Sequence, residues 1–329
     1  MEFLGIDVSK KTLDVCLLKD GIKGKKKHKT FANDENIIRS LTDWLLKQKS
    51  SPDRLTVVME ATGIYHENLA FGLHDCATFL VCLANPQRVR EFARGMGILT
   101  KNDKVDAFVL AAWGVLKQPD AWVPPPPEIR KLRALLRRRD ALKEDVQRTE
   151  NRLEKALSTQ TPVEVMASLT RTLKWLKGEL ARVERLIKNH TDGHPGLKEK
   201  LELLTSIKGI SGETGHEMLA ILGAGTFRSG EQAAAYLGVV PVECVSGSSV
   251  RGRSRMSKAG PPAVRAKLYM AALSAMRWNA QAKALYDRLV ASGKAKKSAL
   301  GAVMRKLVHQ CFGVLKTGQP WSAEYGLMH

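Results

Sequence analysis

Phe3-Leu4-Gly5-Ile6-Asp7 is a short apolar run that ends in a carboxylate, and Leu55-Thr56-Val57-Val58-Met59-Glu60 is a β-branched run that ends the same way. Turn-forming residues follow each, Val8-Ser9-Lys10-Lys11 after the first and Ala61-Thr62-Gly63 after the second. Two strands that each finish on an acid suggest one sheet with a shared chemical edge. Outward from them, Thr12–Leu18 alternates well enough for a further strand closed by Asp20-Gly21, and Lys25–Phe31 reads as a basic third. Ile37–Leu46 has helical periodicity with Asp34 as its N-cap, Tyr65–Leu73 reads as a helix, and Thr78–Leu83 as a buried strand. Gln87–Arg94 forms a helix behind Pro86. Strands preceding helices predict an α/β domain with a largely buried sheet.

The stretch Lys101-Asn102-Asp103-Lys104-Val105-Asp106 leads into an apolar helix, Ala107–Leu116. Asp103 and Asp106 are three residues apart and share a helix face. Alone, the pair is equally explained as a solvated helix start that suits the helix dipole, and Asp7 and Glu60 as turn residues. Together, the four could converge on the carboxyl edge of one sheet. Clustered carboxylates repel and raise one another's pKa unless a cation neutralises them. A hard divalent ion, Mg²⁺ (or Mn²⁺), is the expected partner for phosphoryl chemistry.

Four prolines, Pro124–Pro127, form a stiff spacer that ends this domain at 1–123. Beyond it Leu132, Leu135, Leu142, Val146 and Leu153 follow a 3–4 pattern interrupted by Arg139 and Thr149. Met166, Leu169, Leu173, Leu176, Leu180, Val183 and Ile187 then keep it without a miss. This predicts a helical hairpin over 124–190, packed on itself or on another copy. Asn189–Gly196 reads as a hinge, whose Gly193 and Pro195 argue against His190 and His194 as a metal pair. The final region, 191–329, opens with Ile207-Lys208-Gly209-Ile210-Ser211-Gly212 between two apolar helices. That is a helix-hairpin-helix-like turn whose N–H groups could hold a phosphate, or an ordinary Gly-capped turn. A helix over Glu231–Val239 leads to Ser246-Gly247-Ser248-Ser249-Val250-Arg251-Gly252-Arg253-Ser254-Arg255-Met256-Ser257-Lys258-Ala259-Gly260. This stretch reads as a flexible basic loop that grips nucleic-acid backbone, or as one carrying a serine that attacks a phosphodiester. Three helices follow, Pro262–Met276, Gln281–Ser292 and Ala299–Leu315, with Lys294, Lys296 and Lys297 between the last two.

The chain has 329 residues, 44% hydrophobic and 26% charged, as expected of a folded protein of two domains or more. No apolar run is long enough for a membrane span, and Met-Glu-Phe-Leu-Gly-Ile-Asp has no signal-peptide pattern. Five scattered cysteines without a Cys-x-x-Cys pair predict reduced thiols, a cytoplasmic setting and no zinc site. The net charge of +20 is uneven. Residues 246–329 hold 15 Lys/Arg against 2 Asp/Glu, whereas 1–123 hold 18 against 15 and 124–245 hold 20 against 16. Such polarisation predicts a polyanion partner, nucleic acid rather than membrane.

In order and spacing, Gly-Ile-Asp at 5–7, Glu-Ala-Thr-Gly at 60–63, Asn-Pro at 85–86 and Lys-Asn-Asp-x-x-Asp-Ala at 101–107 carry a resemblance, continued by Ile-x-Gly-Ile at 207–210 and the serine-rich stretch. The chain resembles the DEDD-type insertion-sequence transposases, the serine-dependent, bridge-RNA-guided DNA recombinases, over nearly its whole length. The resemblance implies a ribonuclease-H-like domain akin to Holliday-junction resolvases, with Asp7, Glu60, Asp103 and Asp106 as its acidic, metal-binding tetrad. It further implies a coiled-coil dimerisation hairpin and a mainly α C-terminal transposase domain with Ser246 as nucleophile. Ser248, Ser249, Arg251, Arg253, Arg255 and Lys258, with Lys208 and Gly209, would then hold nucleic acid. Donor and target DNA, a guide RNA, and a homodimer assembling to a tetramer are the implied partners, in a bacterial or archaeal, nucleoid-associated setting. A hydrolytic junction resolvase or nuclease, and a non-catalytic nucleic-acid-binding protein, are the alternatives.

Overall fold

The computed structural model describes residues 2–50, 55–61, 65–76, 78–246 and 250–323, and the backbone alone for 244–246 and 250–253. The chain divides into two compact units, 1–124 and 125–329.

In the first unit β1 (Glu2–Val8), β2 (Thr12–Leu18), β3 (Lys26–Ala32), β4 (Leu55–Glu60) and β5 (Leu80–Ala84) form one sheet in the order β3-β2-β1-β4-β5. The pairs β1–β2 and β2–β3 are antiparallel, while β1–β4 and β4–β5 are parallel. The sheet is therefore mixed, antiparallel on the β3 side of β1 and parallel on the β5 side, in an α/β unit.

Alternation along the strands divides the core into two faces. Leu4, Ile6, Leu13, Val15, Leu17, Val57 and Met59 pack with α1 (Ile37–Lys47) and α2 (Tyr65–Asp75). On the opposite face Phe3, Val58 and Cys82 meet α3 (Pro86–Gly95) and α4 (Asp103–Lys117), and Cys16 and Leu18 meet α4. Each such fully buried aliphatic side chain contributes about 1.5–3 kcal/mol.

Helix α1 differs from expectation at its start. Its N-cap is Asn36, which makes no side-chain cap bond, and Asp34 instead accepts from the Asn36 N–H at 2.9 Å. Asp34 therefore shapes the turn before the helix.

In the second unit α5 (Pro127–Leu157) and α6 (Val163–Asp192) lie against each other. His190 near the end of α6 bonds the Glu128 carbonyl at the start of α5, 2.8 Å away, so the pair is antiparallel. Leu176, Val183 and Ile187 are buried, with Met166, Leu169, Leu173 and Leu180 half-buried in the same row. The α6 seam is thus taken up within the chain. Burial in α5 runs through Leu132, Leu136, Arg139, Leu142 and Thr149, so the two residues that interrupt the sequence pattern are themselves buried. Helix α6 continues through His190 to Asp192, and α7 (Pro195–Ser206) starts three residues on, leaving a tight junction in place of a longer hinge.

Arg139 is buried because it has partners. It donates to Asp140 at 2.7 Å and to Glu217 at 2.5 Å, while Lys267 donates to Asp140 at 2.8 Å and to Glu217 at 2.6 Å. Lys143 reaches Glu213 at 2.9 Å. Three cations and three carboxylates thereby tie α5 to α8 (Gly212–Leu222) and α10 (Pro262–Trp278). A buried pair of this kind costs much of its attraction in desolvation but is expensive to break. The base of the hairpin shares one apolar core with α8, α9 (Gly230–Tyr236), α10 and α12 (Lys296–Thr317), and α11 (Ala280–Ala291) packs on α10 and α12.

The serine-rich stretch departs from the loop reading. Pro241–Ser246 (β6) and Val250–Met256 (β7) pair antiparallel, with a bulge between Val242 and Cys244. The arginines at 251, 253 and 255 alternate with smaller residues, a period-two pattern that suits a strand. Lys296 and Lys297 form the first turn of α12 rather than a loop. No helix among the described residues is long and apolar enough to cross a membrane.

Candidate functional site

Phe3, Gly5 and Asp7 alternate onto the sheet face covered by α4. A Cβ on Gly5 would overlap the Ala107 carbonyl oxygen and the Ala111 amide nitrogen, and one on Gly114 would meet Phe3 at 2.7 Å and Val58 at 2.8 Å. These two glycines let the helix backbone rest on the sheet. Helix α4 consequently runs opposite to β1, with Gly114 over Phe3, Ala107 and Ala111 over Gly5, and its first turn at the level of Asp7. Asn102 caps that turn by accepting from the Val105 N–H at 2.9 Å, which sets Asp103 as the first helical residue and Asp106 one turn along.

The parallel register pairs Ile6 with Met59, so its continuation sets Asp7 beside Glu60. In the next strand Glu60 pairs with Ala84, directly before Asn85. The Asn85 side chain accepts from the N–H groups of Gln87 and Arg88, and Pro86 fills the first helical position. This cap starts α3, which carries Arg90. The Gly-Ile-Asp, Asn-Pro and Lys-Asn-Asp motifs, with Glu60 of the Glu-Ala-Thr-Gly motif, therefore all serve the carboxyl edge of one sheet; Thr62 and Gly63 lie outside the described residues.

The electrostatics show that the acids feel one another. Asp7, half-buried, has its pKa pushed up from 3.8 to about 6, first by burial and then by repulsion from Asp106, Asp103, Glu60 and Asp14. Glu60 is raised by burial and by Asp106, against the pull of Arg90 and Lys101. Asp106 is raised by burial and by Asp103, with Lys101 and Arg90 again opposing. Sequence reasoning missed three of these participants: Asp14, Arg90 and Lys101. Asp14 is the cross-strand partner of Asp7 and accepts from the Thr30 hydroxyl at 2.6 Å. Its signal was a carboxylate inside the apolar run Thr12–Leu18, which acquires meaning only once the β1–β2 register is known.

The donor set is all carboxylate oxygen, with Asp7, Glu60 and Asp106 raised in pKa by burial and then by neighbouring acids, and such a set fits a hard divalent cation. Among the described residues, no three His, Cys, Asp or Glu side chains stand close enough to hold one ion together. His190 and His194 do approach, with ring centroids 4.5 Å apart, but each bonds a backbone carbonyl.

The remaining candidates belong to the second unit. Ser246 is the last residue of β6 and pairs through its backbone with Val250. Ser248 and Ser249 lie outside the described residues, and Arg251 and Arg253 are described by backbone only. Arg255 and Lys258 are exposed. Lys258 has a φ of 57°, and its N–H donates to the Gly238 carbonyl at 3.0 Å, fastening the end of the hairpin to the chain after α9. Lys208 is exposed, while Gly209, with φ at 105°, abuts α10, where a Cβ would come within 2.6 Å of Ala275. Close packing alone therefore requires a glycine at this turn.

A family model described as Transposase matches residues 4–162, and one described as Transposase IS116/IS110/IS902 family matches residues 201–287. The pilin gene-inverting proteins of Moraxella lacunata and Moraxella bovis are each 30% identical over 324 residues, covering 97% of this chain and 97% of theirs. An uncharacterized 43.6 kDa protein of insertion element IS110 from Streptomyces coelicolor is 26% identical over 47% of this chain and 37% of its own. Two structures of T. thermophilus RuvC, one in complex with a Holliday junction substrate, match 37% of this chain and all of theirs. Their identities are 12% and 15% and their TM-scores 0.29 and 0.27, too low to argue from. With both halves matched by transposase models and full-length relatives at 30% identity, the chain belongs to the IS116/IS110/IS902 family of transposases.

Proposed function

We propose that this transposase excises and inserts a mobile element by cutting DNA through a covalent bond to Ser246, with Asp7, Glu60, Asp103 and Asp106 forming a divalent-cation site. The observation that carries the reading is that burial first, and then repulsion from Asp106, Asp103 and Glu60, raises Asp7 to about 6 at the edge of the sheet. In the proposed step, the Ser246 Oγ attacks the phosphorus of a phosphodiester and loses its proton. The bond to the departing strand's oxygen breaks, and that oxygen takes up a proton. The serine–DNA ester keeps the phosphodiester energy, so attack by another strand's hydroxyl restores the serine and seals the DNA without ATP. A serine hydroxyl needs activation near neutral pH, and Mg²⁺ or Mn²⁺ at the acids would neutralise developing charge on the phosphate.

Arg251, Arg253, Arg255, Lys258, Ser248 and Ser249 are assigned to phosphate contacts, as are Lys208 and Gly209 at their turn. The excess of 15 Lys/Arg over 2 Asp/Glu in 246–329 supports this assignment. A guide RNA, and protomers paired into dimers and tetramers, belong to the proposal through the resemblance. Asp103→Asn and Asp106→Asn test the reading. Each should abolish strand cleavage in Mg²⁺ while leaving DNA binding intact, whereas full cleavage by both variants with EDTA present would refute it.

A further inference from the structure

A cavity of about 250 Å³ lies in the second unit, between the end of α8 with its following loop, α7 and the last turns of α12. Lys200, Arg228 and Lys316 line it together with the rings of Phe227 and Phe312, and no acidic residue does so among the described residues. The lining is fixed in place. Lys200 Nζ donates to the Gly223 carbonyl at 2.9 Å, leaving two N–H donors on the same ammonium. Phe227 is braced edge-on by Tyr236, with centroids 5.3 Å apart, and Lys316 stands 6.0 Å from the Phe312 ring centre.

Neither the acidic edge nor the serine hairpin includes this cavity. Three cations would attract any phosphate, but the half-buried rings offer a duplex nothing, because its bases are already stacked. An unpaired base can lie on an aromatic ring while its phosphate meets the lysines. A space of this size takes one planar base and excludes a double helix.

We infer that this cavity binds an unpaired nucleotide of RNA or DNA, with its base against Phe227 and Phe312 and its phosphate toward Lys200, Arg228 and Lys316. The inference deepens the reading of the chain as a nucleic-acid enzyme and assigns a subsite for single strands. The test is fluorescence anisotropy with the full chain at fixed salt, using labelled oligo(U), oligo(dT) and a duplex of equal length. Phe227→Leu combined with Phe312→Leu keeps apolar volume but removes both rings. It should weaken single-strand binding by about tenfold or more and leave duplex binding unchanged, while Phe227→Tyr with Phe312→Tyr restores it. Whichever of oligo(U) and oligo(dT) binds more tightly identifies the source of the strand. Should the leucine variant fail to fold, photocrosslinking of an iodouracil-bearing oligonucleotide to the wild-type chain replaces it, with adducts expected on Phe227 or Phe312. Equal losses on duplex and single strand, no loss, no single-strand binding by the wild type, or crosslinks elsewhere would each overturn the inference. Asp106→Asn should bind the single strand normally, so failure of the cleavage chemistry leaves this result intact.

Discussion

Asp7→Asn removes one charge from the acidic edge with little change of shape, and its effect on stability has a definite sign. The folded-state pKa is about 6 against an ordinary 3.8, so the fold prefers the protonated acid. The stability this preference brings is fully present below pH 3.8 and is lost as pH rises through about 6. At pH 7.5 the wild type therefore carries an ionised carboxylate that burial and its neighbours disfavour. At about 1.36 kcal/mol per pKa unit the full rise corresponds to about 3 kcal/mol. Asp7 is only half-buried and water screens the repulsion, so about 1.5 kcal/mol is the appropriate expectation. Without metal, Asp7→Asn should raise the melting temperature of the first unit's transition by about 5 °C at pH 7.5, and by nothing measurable at pH 4. Added Mg²⁺ should stabilise the wild type at pH 7.5 but do far less for the variant. Calorimetry of the full chain at the two pH values, with and without Mg²⁺, makes the comparison. A pH-independent difference, or a variant less stable than the wild type at pH 7.5, would refute the reasoning.

Gly5→Ala forces a methyl into the α4 backbone and should cost about 1–3 kcal/mol as overpacking while displacing Asp103 and Asp106, seen as lower thermal stability together with lost cleavage. Asn102→Ala removes the cap of that helix, and denaturant unfolding should show a loss of about 1 kcal/mol. Glu217→Ala leaves Arg139 and Lys267 in the second unit sharing Asp140 alone and should cost about 1.5–3 kcal/mol, whereas a surface replacement such as Glu184→Ala stays within about 0.5 kcal/mol in the same titration.

The first unit was readable because its signals are local. Apolar runs ending in Asp7 and Glu60, an Asn-Pro pair and an Asn-Asp pair each announce a strand end or a helix start, and parallel pairing brings those ends to one edge. What escaped depended on register. Asp14 enters the cluster only because β2 turns back against β1, and the closeness of α4 depends on a helix landing on Gly5. In the second unit Arg139 looked like a flaw in a heptad because its partner Glu217 lies 78 residues away, and Lys267, which shares Asp140 with it, lies 127 residues beyond Asp140. The serine-rich stretch looked like a loop because serine, glycine and arginine are poor strand formers, and pairing across a hairpin outweighs that preference.

The most direct measurement of the central claim is the chemical fate of end-labelled DNA incubated with the transposase in Mg²⁺ and run on a denaturing gel. The wild type should give a protein–DNA adduct that digestion and mass spectrometry map to Ser246. Ser246→Ala should lose adduct and cleavage together while binding DNA within a few-fold of the wild type, since one neutral hydrogen bond contributes only about 1 kcal/mol. Ser248→Ala and Ser249→Ala should still form the adduct. Wild-type cleavage by Ser246→Ala without any adduct would contradict the account and make water the nucleophile, as in a hydrolytic resolvase.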